Sequence, residues 1–189
     1  QTLHRQALHA LKTGNDVVAV KLFQEAVRAK PSSIEFLVDL GMLYRSLGRT
    51  ADAEHCYRSA LNLNPKLAEI HNNLGNVLSD CGRLDEAEQS LHQALALKPN
   101  YPEAHNNLGV ALTRIGRLSE AVDQFQRALT LDSSYAQAHN NLGIVMKEFG
   151  RLEKAVQCFR RALELAPDYA DAHSDLIFAL DLVERTGIA

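Results

Sequence analysis

Five short polar side chains recur every 34 residues, and their chemistry suits them to hold another molecule. They are Asp39, Asn73, Asn107, Asn141 and Asp175, which we call the ladder. If 34-residue units stack, equivalent positions come to lie in a row. An asparagine amide has two donors and an acceptor, so it can pair with a peptide group in both senses. The ladder predicts either a strip that grips an extended polypeptide or side chains that bind only local backbone and water. The adjacent Asn72, Asn106 and Asn140 widen this strip and carry less weight.

Four histidines share another repeat position, which raises the question of a metal site. They are His71, His105, His139 and His173. Equivalent atoms of neighbouring helical repeats lie roughly 10 Å apart, whereas a Zn–N bond is about 2.0–2.1 Å long. These rings therefore cannot share one ion. We expect no metal, and we expect the histidines to pack between helices.

Nucleophilic or redox chemistry has little support. Cys56, Cys81 and Cys158 lack the CxxC spacing, and Cys56 and Cys158 lie three units apart, beyond the reach of a disulfide. An odd count without a framework is typical of a reducing cytoplasm. The sequence contains no glycine-rich phosphate loop, GxSxG elbow or HExxH motif. We therefore expect no catalytic residue and no cofactor in this chain, and a cytoplasmic location.

The composition excludes two further classes of partner. The formal net charge is −3, with 20 basic and 23 acidic residues, so no basic footprint for nucleic acid is present. No apolar run approaches the roughly 20 residues that a membrane span needs. We expect neither nucleic acid nor membrane as a partner.

The elements that must position the ladder follow from the same 34-residue interval. Nine of the ten glycines fall on two series with this spacing: Gly14, Gly48, Gly82, Gly116 and Gly150, and Gly41, Gly75, Gly109 and Gly143. A fixed period between 20 and 50 residues is typical of stacked repeats. It divides the chain into units 1–33, 34–67, 68–101, 102–135 and 136–169, then a half-unit 170–184 and a tail 185–189.

Each unit has the pattern of two helices. In the third unit, apolar residues recur at helical spacing over 69–81 and again over 84–97. Gly82 suits the left-handed residue that ends a helix, and Pro99 stops the second one. A short turn between helices predicts an antiparallel pair. Gly75 lets the two backbones approach closely, and Leu91, or an aromatic residue in other units, fills the remaining space.

This pattern resembles the tetratricopeptide repeat, a helix–turn–helix family that builds right-handed superhelical, all-α solenoids. The marked positions of the third unit match that motif: His71, Leu74, Gly75, Leu78, Gly82, Ala87, Leu91, Ala94 and Pro99. The first helix is expected to be degenerate, because Gln6 and Ala7 stand where the motif has leucine and glycine. The last unit holds one helix, with Ile177 at the glycine position.

A narrower resemblance concerns the string HNNLG at positions 71–75, 105–109 and 139–143, together with AHSDLIFAL at 172–180. These strings are similar to the repeat region of bacterial O-linked N-acetylglucosamine transferases and Spindly-type sugar transferases. In that family, matching asparagines line the inner groove and hold the backbone of a bound polypeptide. The resemblance therefore implies that the ladder lines a peptide-binding groove and that catalysis belongs to a domain after residue 189.

Two other functions remain open. One is a stand-alone scaffold or assembly factor without an attached enzyme, and the other is an enzyme in its own right, for which no catalytic set is visible. Some proteins of this fold bind chaperone C-termini through a carboxylate clamp of lysine and asparagine. The position where the clamp lysine is expected carries Val38, Asn72, Asn106 and Asn140, which argues against a clamp.

The last helix has apolar residues nearly all round, and such a helix is normally buried on more than one side. We expect Leu176 and Leu180 to pack on the preceding repeat. Ile177, Phe178 and Leu182 or Val183 then need another cover, such as a following catalytic domain or a second copy of the chain. The alternative is that the tail folds back over them at Gly187.

Overall fold

The computed structural model describes residues 2–186, and within them the chain consists of eleven α-helices without a strand. The helices alternate with short turns. Their bounds are α1 Thr2–Lys12, α2 Asp16–Ala29, α3 Ile34–Ser46, α4 Thr50–Leu63, α5 Ala68–Asp80, α6 Leu84–Leu97, α7 Pro102–Ile115, α8 Leu118–Leu131, α9 Ala136–Glu148, α10 Leu152–Leu165 and α11 Ala170–Thr186. No helix in this part of the chain is long and apolar enough to cross a membrane.

The helices form two compact units, Gln1–Lys98 with α1 to α6 and Pro99–Ala189 with α7 to α11. In each unit, consecutive helices pack against each other, and the closest packing joins the two helices of one repeat. We call the odd-numbered helices first helices and the even-numbered ones second helices. The ladder lies on first helices only.

The turn inside each repeat is set by a left-handed glycine, as predicted for Gly82. This glycine and its four equivalents have φ between 69° and 89°. The following residue's N–H reaches back to a carbonyl five residues earlier, for example Arg83 to Leu78 at 2.9 Å. This is the hydrogen bond that closes a helix C-terminus with glycine in the left-handed conformation.

A second glycine series lets the two helices of a repeat touch, as the sequence pattern predicted. A Cβ added at Gly109 would lie 2.6 Å from Phe125 Cε1, and one at Gly75 would lie 2.6 Å from Leu91 Cγ. Phe125 and Leu91 are themselves fully buried. The large side chain of the second helix therefore occupies the space where the first helix has no side chain. In the first repeat Ala7 stands at the glycine position and is fully buried within α1.

The last helix is only partly covered. Ile177 is 69 % exposed and Phe178 is 53 % exposed, whereas Leu182 and Val183 are half-buried. Leu176 packs on the core of the preceding repeat, as expected, whereas Leu180 is 36 % exposed and is only partly covered. The first helices α3 to α9 each pack on a following second helix, which α11 lacks within the described residues. Ala172 and Ala179 are fully buried and Val183 packs on the same core, whereas residues 187–189, on which the folding-back of the tail depended, lie outside the described residues.

Candidate functional site

The ladder side chains are neither fully exposed nor fully buried. Asp39, Asn73, Asn107, Asn141 and Asp175 are all half-buried, one on each first helix from α3 to α11. Asp39, Asn73, Asn107 and Asn141 each lie two residues before a buried glycine, so their side chains are turned away from the paired second helix by about half a helical turn. This placement leaves part of every ladder residue accessible.

Several ladder residues are tied to the preceding first helix, which the sequence analysis missed. The partner stands 35 residues earlier: His4 Nε2 lies 2.6 Å from Asp39 Oδ2 and Asn141 Nδ2 donates to Asn106 Oδ1 at 2.9 Å. Asn140 Nδ2 donates to Asp175 Oδ2 at 3.3 Å. The paired asparagines in the sequence were a signal for these hydrogen bonds. The 34-residue interval, however, aligns each residue only with its own equivalent, whereas these bonds join residues that are 35 apart.

The residues just before the ladder are therefore structural. Asn72, Asn106 and Asn140 are buried, unlike the ladder residues that follow them. A buried amide must be hydrogen-bonded to offset its desolvation. Asn140 meets this demand in part, because its Oδ1 is buried without a partner. These amides stand where the lysine of a carboxylate clamp is expected, so their burial is a further argument against a clamp.

The ladder residues keep hydrogen-bonding capacity for a ligand. The bond from Asn141 to Asn106 uses one of the two Nδ2 hydrogens and leaves Oδ1 out of that bond. One donor and one acceptor are what a peptide group requires from a side-chain amide. When ionised, Asp39 and Asp175 can accept hydrogen bonds but cannot donate them. Asp175 also forms an ion pair with Lys147, at a distance of 3.4 Å.

Three pockets recur at the same register, and each has a ladder residue at its edge. Each is formed by two neighbouring first helices, with the large residue of the intervening second helix among its lining. Their volumes are about 340 Å³ beside Asp39, 360 Å³ beside Asn73 and 120 Å³ beside Asn141. The respective large residues are Phe23, Tyr57 and Phe125. Three equivalent openings indicate a surface built by the repeat itself.

The three pockets differ in chemistry. The first is apolar, with Leu8, Leu11, Met42 and Leu43 in its lining and Asp39 as its charged group. The second is polar, since Arg45 and Asp80 in its lining form an ion pair with Nε and Oδ2 3.0 Å apart. The third combines three aliphatic or β-branched residues with an arginine: Val110, Thr113, Ile144 and Arg114. A bound chain would therefore meet a different environment at each repeat.

The four repeating histidines hold the connections between repeats. Nε2 of His71, His105, His139 and His173 lies 2.8–3.1 Å from the carbonyl oxygen six residues earlier, in the loop that precedes each first helix. A carbonyl can only accept, so Nε2 carries the proton. His105 is buried whereas His173 is exposed, so packing alone does not describe this position. Within the described residues, no three potential ligands are grouped to hold a metal ion.

Two of the three cysteines, Cys56 and Cys158, are not placed for catalysis. Cys56 is buried, and burial together with the nearby Asp52 carboxylate raises the pKa of its thiol to about 11. Burial also raises the pKa of Cys158. A thiol with a raised pKa is a poor nucleophile at neutral pH.

Comparison with known protein families agrees with the repeat pattern. Tetratricopeptide repeat models match residues 66–134 and 136–169, and a further TPR repeat model matches residues 41–80. Together these matches span more than half of the chain. The chain belongs to the tetratricopeptide repeat family. The all-α repeat fold is thereby confirmed, and this fold is a non-catalytic scaffold.

Solved tetratricopeptide repeat structures resemble the chain closely in fold. PilW, a widely conserved type IV pilus biogenesis factor, has a TM-score of 0.86 at 22 % identity, covering 100 % of this chain and 86 % of its own. A thermophilic TPR protein of Thermus thermophilus, TTC0263, has a TM-score of 0.80 at 22 % identity, with coverage of 95 % and 98 %. YrrB, described as having an unusual peptide-binding site, has a TM-score of 0.67 at 23 % identity, with coverage of 91 % and 89 %.

These comparisons do not support the narrower expectation from the sequence. No curated protein matches the chain. The three solved structures named above are tetratricopeptide repeat or pilus-biogenesis proteins, and the resemblance to sugar-transferase repeats is not supported. At identities of 22–23 % the likeness establishes the fold alone.

Proposed function

We propose that this chain is a protein-interaction scaffold that binds extended polypeptide along the first helices of each compact unit. The observation that carries the proposal is the recurrence of three pockets at one repeat register, each edged by a ladder residue. In this arrangement the ladder amides pair with peptide groups of the ligand. The pockets receive its side chains.

The spacing of the pockets fits an extended chain. Packed helices lie about 8–10 Å apart, and an extended chain rises about 3.3 Å per residue. Side chains about three residues apart therefore enter successive pockets. The pockets beside Asp39 and Asn73 share Met42 and Ser46, so one ligand can occupy both.

The lining of these two pockets sets a preference. The pocket with Leu8, Leu11 and Phe23 favours an apolar side chain, because filling it removes apolar surface from water. The pocket with Arg45 and Asp80 favours a polar or charged side chain that can bond to either member of the pair. We expect a ligand of the compact unit Gln1–Lys98 to carry an apolar and a polar residue about three positions apart.

The scaffold interpretation is favoured over recruitment for a sugar transferase. Related folds include a protein described by a peptide-binding site and one described as a biogenesis factor, both of which support binding without chemistry. No residue of the described chain supports a sugar-transfer role. The cytoplasmic location stays a prediction.

The test is a measurement of peptide affinity in ladder variants. Peptides that bind the wild-type chain are first selected from a random display library, and their Kd values are then measured by isothermal titration calorimetry. Asn73→Ala, Asn107→Ala and Asn141→Ala together should weaken binding, each by about 0.5–1.5 kcal/mol. The matched control is Asn100→Ala, an exposed asparagine just before α7 that lies outside the ladder and the three pockets. Unchanged affinity in the triple variant would refute the proposal that the ladder binds the peptide.

Folding must be monitored alongside, because Asn107 and Asn141 both bond to the buried Asn106. Asn141→Ala removes the donor to the buried Asn106 Oδ1. An unsatisfied buried acceptor costs about 1–3 kcal/mol. Asn73→Ala leaves that bond in place and separates binding from stability. Far-UV circular dichroism at the titration temperature shows whether each variant is folded.

A further inference from the structure

A larger pocket lies in the compact unit Gln1–Lys98, away from the ladder. It has a volume of about 650 Å³ and lies between the second helices α4 and α6, across α5. Leu61, Leu74 and Leu78 provide its apolar surface, and Arg58, His71 and Ser90 are among its polar lining. None of the five ladder residues lines it.

The same space in the preceding repeat is filled by a tyrosine. Tyr44 is equivalent to Leu78, and Gln24 is equivalent to Arg58, by the 34-residue interval. Gln24 Nε2 donates to the Tyr44 hydroxyl at 2.7 Å, and Tyr44 is buried. Its phenol ring therefore spans the distance from the first helix to the preceding second helix. Leu78 is too short to do so, and the space stays open.

The corresponding space in the repeat of α7 and α8 is filled in another way. His105 and Gln124 are equivalent to His71 and Ser90. His105 Nδ1 lies 2.8 Å from the Gln124 side-chain amide, which thus crosses from the second helix to the first. Ser90 is too short to reach His71. The third repeat lacks both filling side chains, and this explains the pocket.

We propose that this pocket binds a tyrosine side chain presented by a partner polypeptide. The ring would lie on Leu61, Leu74 and Leu78, where Tyr44 lies in the preceding repeat. Arg58 would donate to the tyrosine hydroxyl in place of Gln24. Its Nε and Nη2 already bond to Glu54 and Glu86, at 2.8 and 3.3 Å, and Nη1 takes no part in those two bonds.

His71 supplies the matching acceptor. Its Nε2 donates to the Pro65 carbonyl at 2.9 Å, so Nδ1 of the neutral ring is an acceptor. A phenol hydroxyl can accept from Arg58 and donate to His71, whereas a phenylalanine ring can do neither. Gln89 and Gln93 also line the pocket and can bond to the peptide groups on either side of the tyrosine. These amides favour a polypeptide over a free phenol.

The experiment titrates the chain with three defined probes and follows binding by NMR chemical-shift changes. The probes are a capped five-residue peptide with a central tyrosine among alanines, the same peptide with phenylalanine, and p-cresol. The tyrosine peptide should bind about tenfold more tightly than the phenylalanine peptide, since two hydrogen bonds are lost in the latter. Equal binding of these two peptides would overturn the proposal. If p-cresol binds as tightly as the tyrosine peptide, the proposal that the ligand is a polypeptide is wrong.

Two filling variants identify the site. Leu78→Tyr and Ser90→Gln copy side chains that the chain itself carries at equivalent positions, so each should fold and each should lower the affinity for the tyrosine peptide at least about tenfold. Ser119→Gln on the exposed face of α8 is the matched control and should leave binding unchanged. Retained affinity in both filling variants would place the binding elsewhere. The ladder variants should bind the tyrosine peptide like wild type. The experiments therefore test the tyrosine pocket and the ladder groove independently of each other.

Discussion

The contact between Gly109 and Phe125 offers a quantitative test of how tightly a repeat is packed. A Cβ at Gly109 would lie 2.6 Å from Cε1 and 2.8 Å from Cδ1 and Cζ of the ring. Carbon atoms in favourable contact are about 3.5–4.0 Å apart. The ring or the helix must therefore move by nearly 1 Å to admit even a methyl group.

The expected cost follows from two opposing effects. Overpacking of a well-packed core costs about 1–3 kcal/mol, whereas replacing glycine by alanine inside a helix gains about 1 kcal/mol. Gly109→Ala should therefore be neutral to about 2 kcal/mol less stable. Gly109→Leu should lose the full 1–3 kcal/mol or more, because the longer side chain adds to the clash and gains no more from helix propensity.

The assay is urea unfolding followed by circular dichroism, combined with a double-mutant cycle. Phe125→Ala removes the ring that obstructs the new side chain, so its cost should be smaller in the Gly109→Leu background than in wild type. The two sites should show a coupling free energy of about 0.5–3 kcal/mol. Ser119→Leu adds a similar side chain on the exposed face of α8 and should change stability by no more than about 0.5 kcal/mol. Strict additivity of Gly109→Leu and Phe125→Ala would refute the close-contact explanation.

Three further predictions concern other parts of the chain. Gly116 has φ +89° with open space around its missing Cβ, so Gly116→Ala should lower the free energy of unfolding by about 1–2 kcal/mol through backbone strain and Gly116→Asn by less; equal losses in urea unfolding would contradict this. Phe178 is 53 % exposed beside the more exposed Ile177, so Phe178→Glu should raise the concentration at which the chain precipitates, and an unchanged limit would show that this face does not drive association. Burial raises the pKa of Glu54, but hydrogen bonds from Arg58 and Arg83 outweigh this effect, so its pKa lies below the ordinary value. The stabilisation that the ionised Glu54 carboxylate provides is therefore present above the ordinary glutamate range near pH 4.3 and is lost as the pH falls through the lowered pKa. Glu54→Gln should flatten this part of a plot of the urea midpoint against pH. A profile in the variant like that of wild type would show that Glu54 does not contribute to it.

The repeat and its helices could be predicted from the sequence because the signals are local. A left-handed glycine such as Gly82 ends a helix through the conformation of its own backbone, and apolar residues at helical spacing define the buried face. The pairing of Gly109 with Phe125 also follows from the sequence. Both residues recur with the 34-residue interval, and a missing side chain opposite a large one is a packing solution that repeats with it.

The state of the ladder could be decided only in three dimensions. The sequence places Asn141 in register with its equivalents, but its hydrogen bond goes to Asn106, a residue 35 positions away on the preceding first helix. Which of two adjacent asparagines is buried depends on how neighbouring helices are rotated about their axes. That rotation is set by packing between elements distant in sequence, and no local pattern encodes it.

The exposed and open surfaces were likewise fixed by tertiary contacts. Leu180 has the same repeat position as the buried Leu78 and Leu112, yet it is exposed because α11 packs on the preceding α10 but has no following second helix within the described residues. The pocket across α5 exists because Leu78 and Ser90 are both shorter than their equivalents Tyr44 and Gln124. Apolar type and position predict that a residue can be buried. Whether it is buried depends on the size and presence of its neighbours, which only the folded chain brings together.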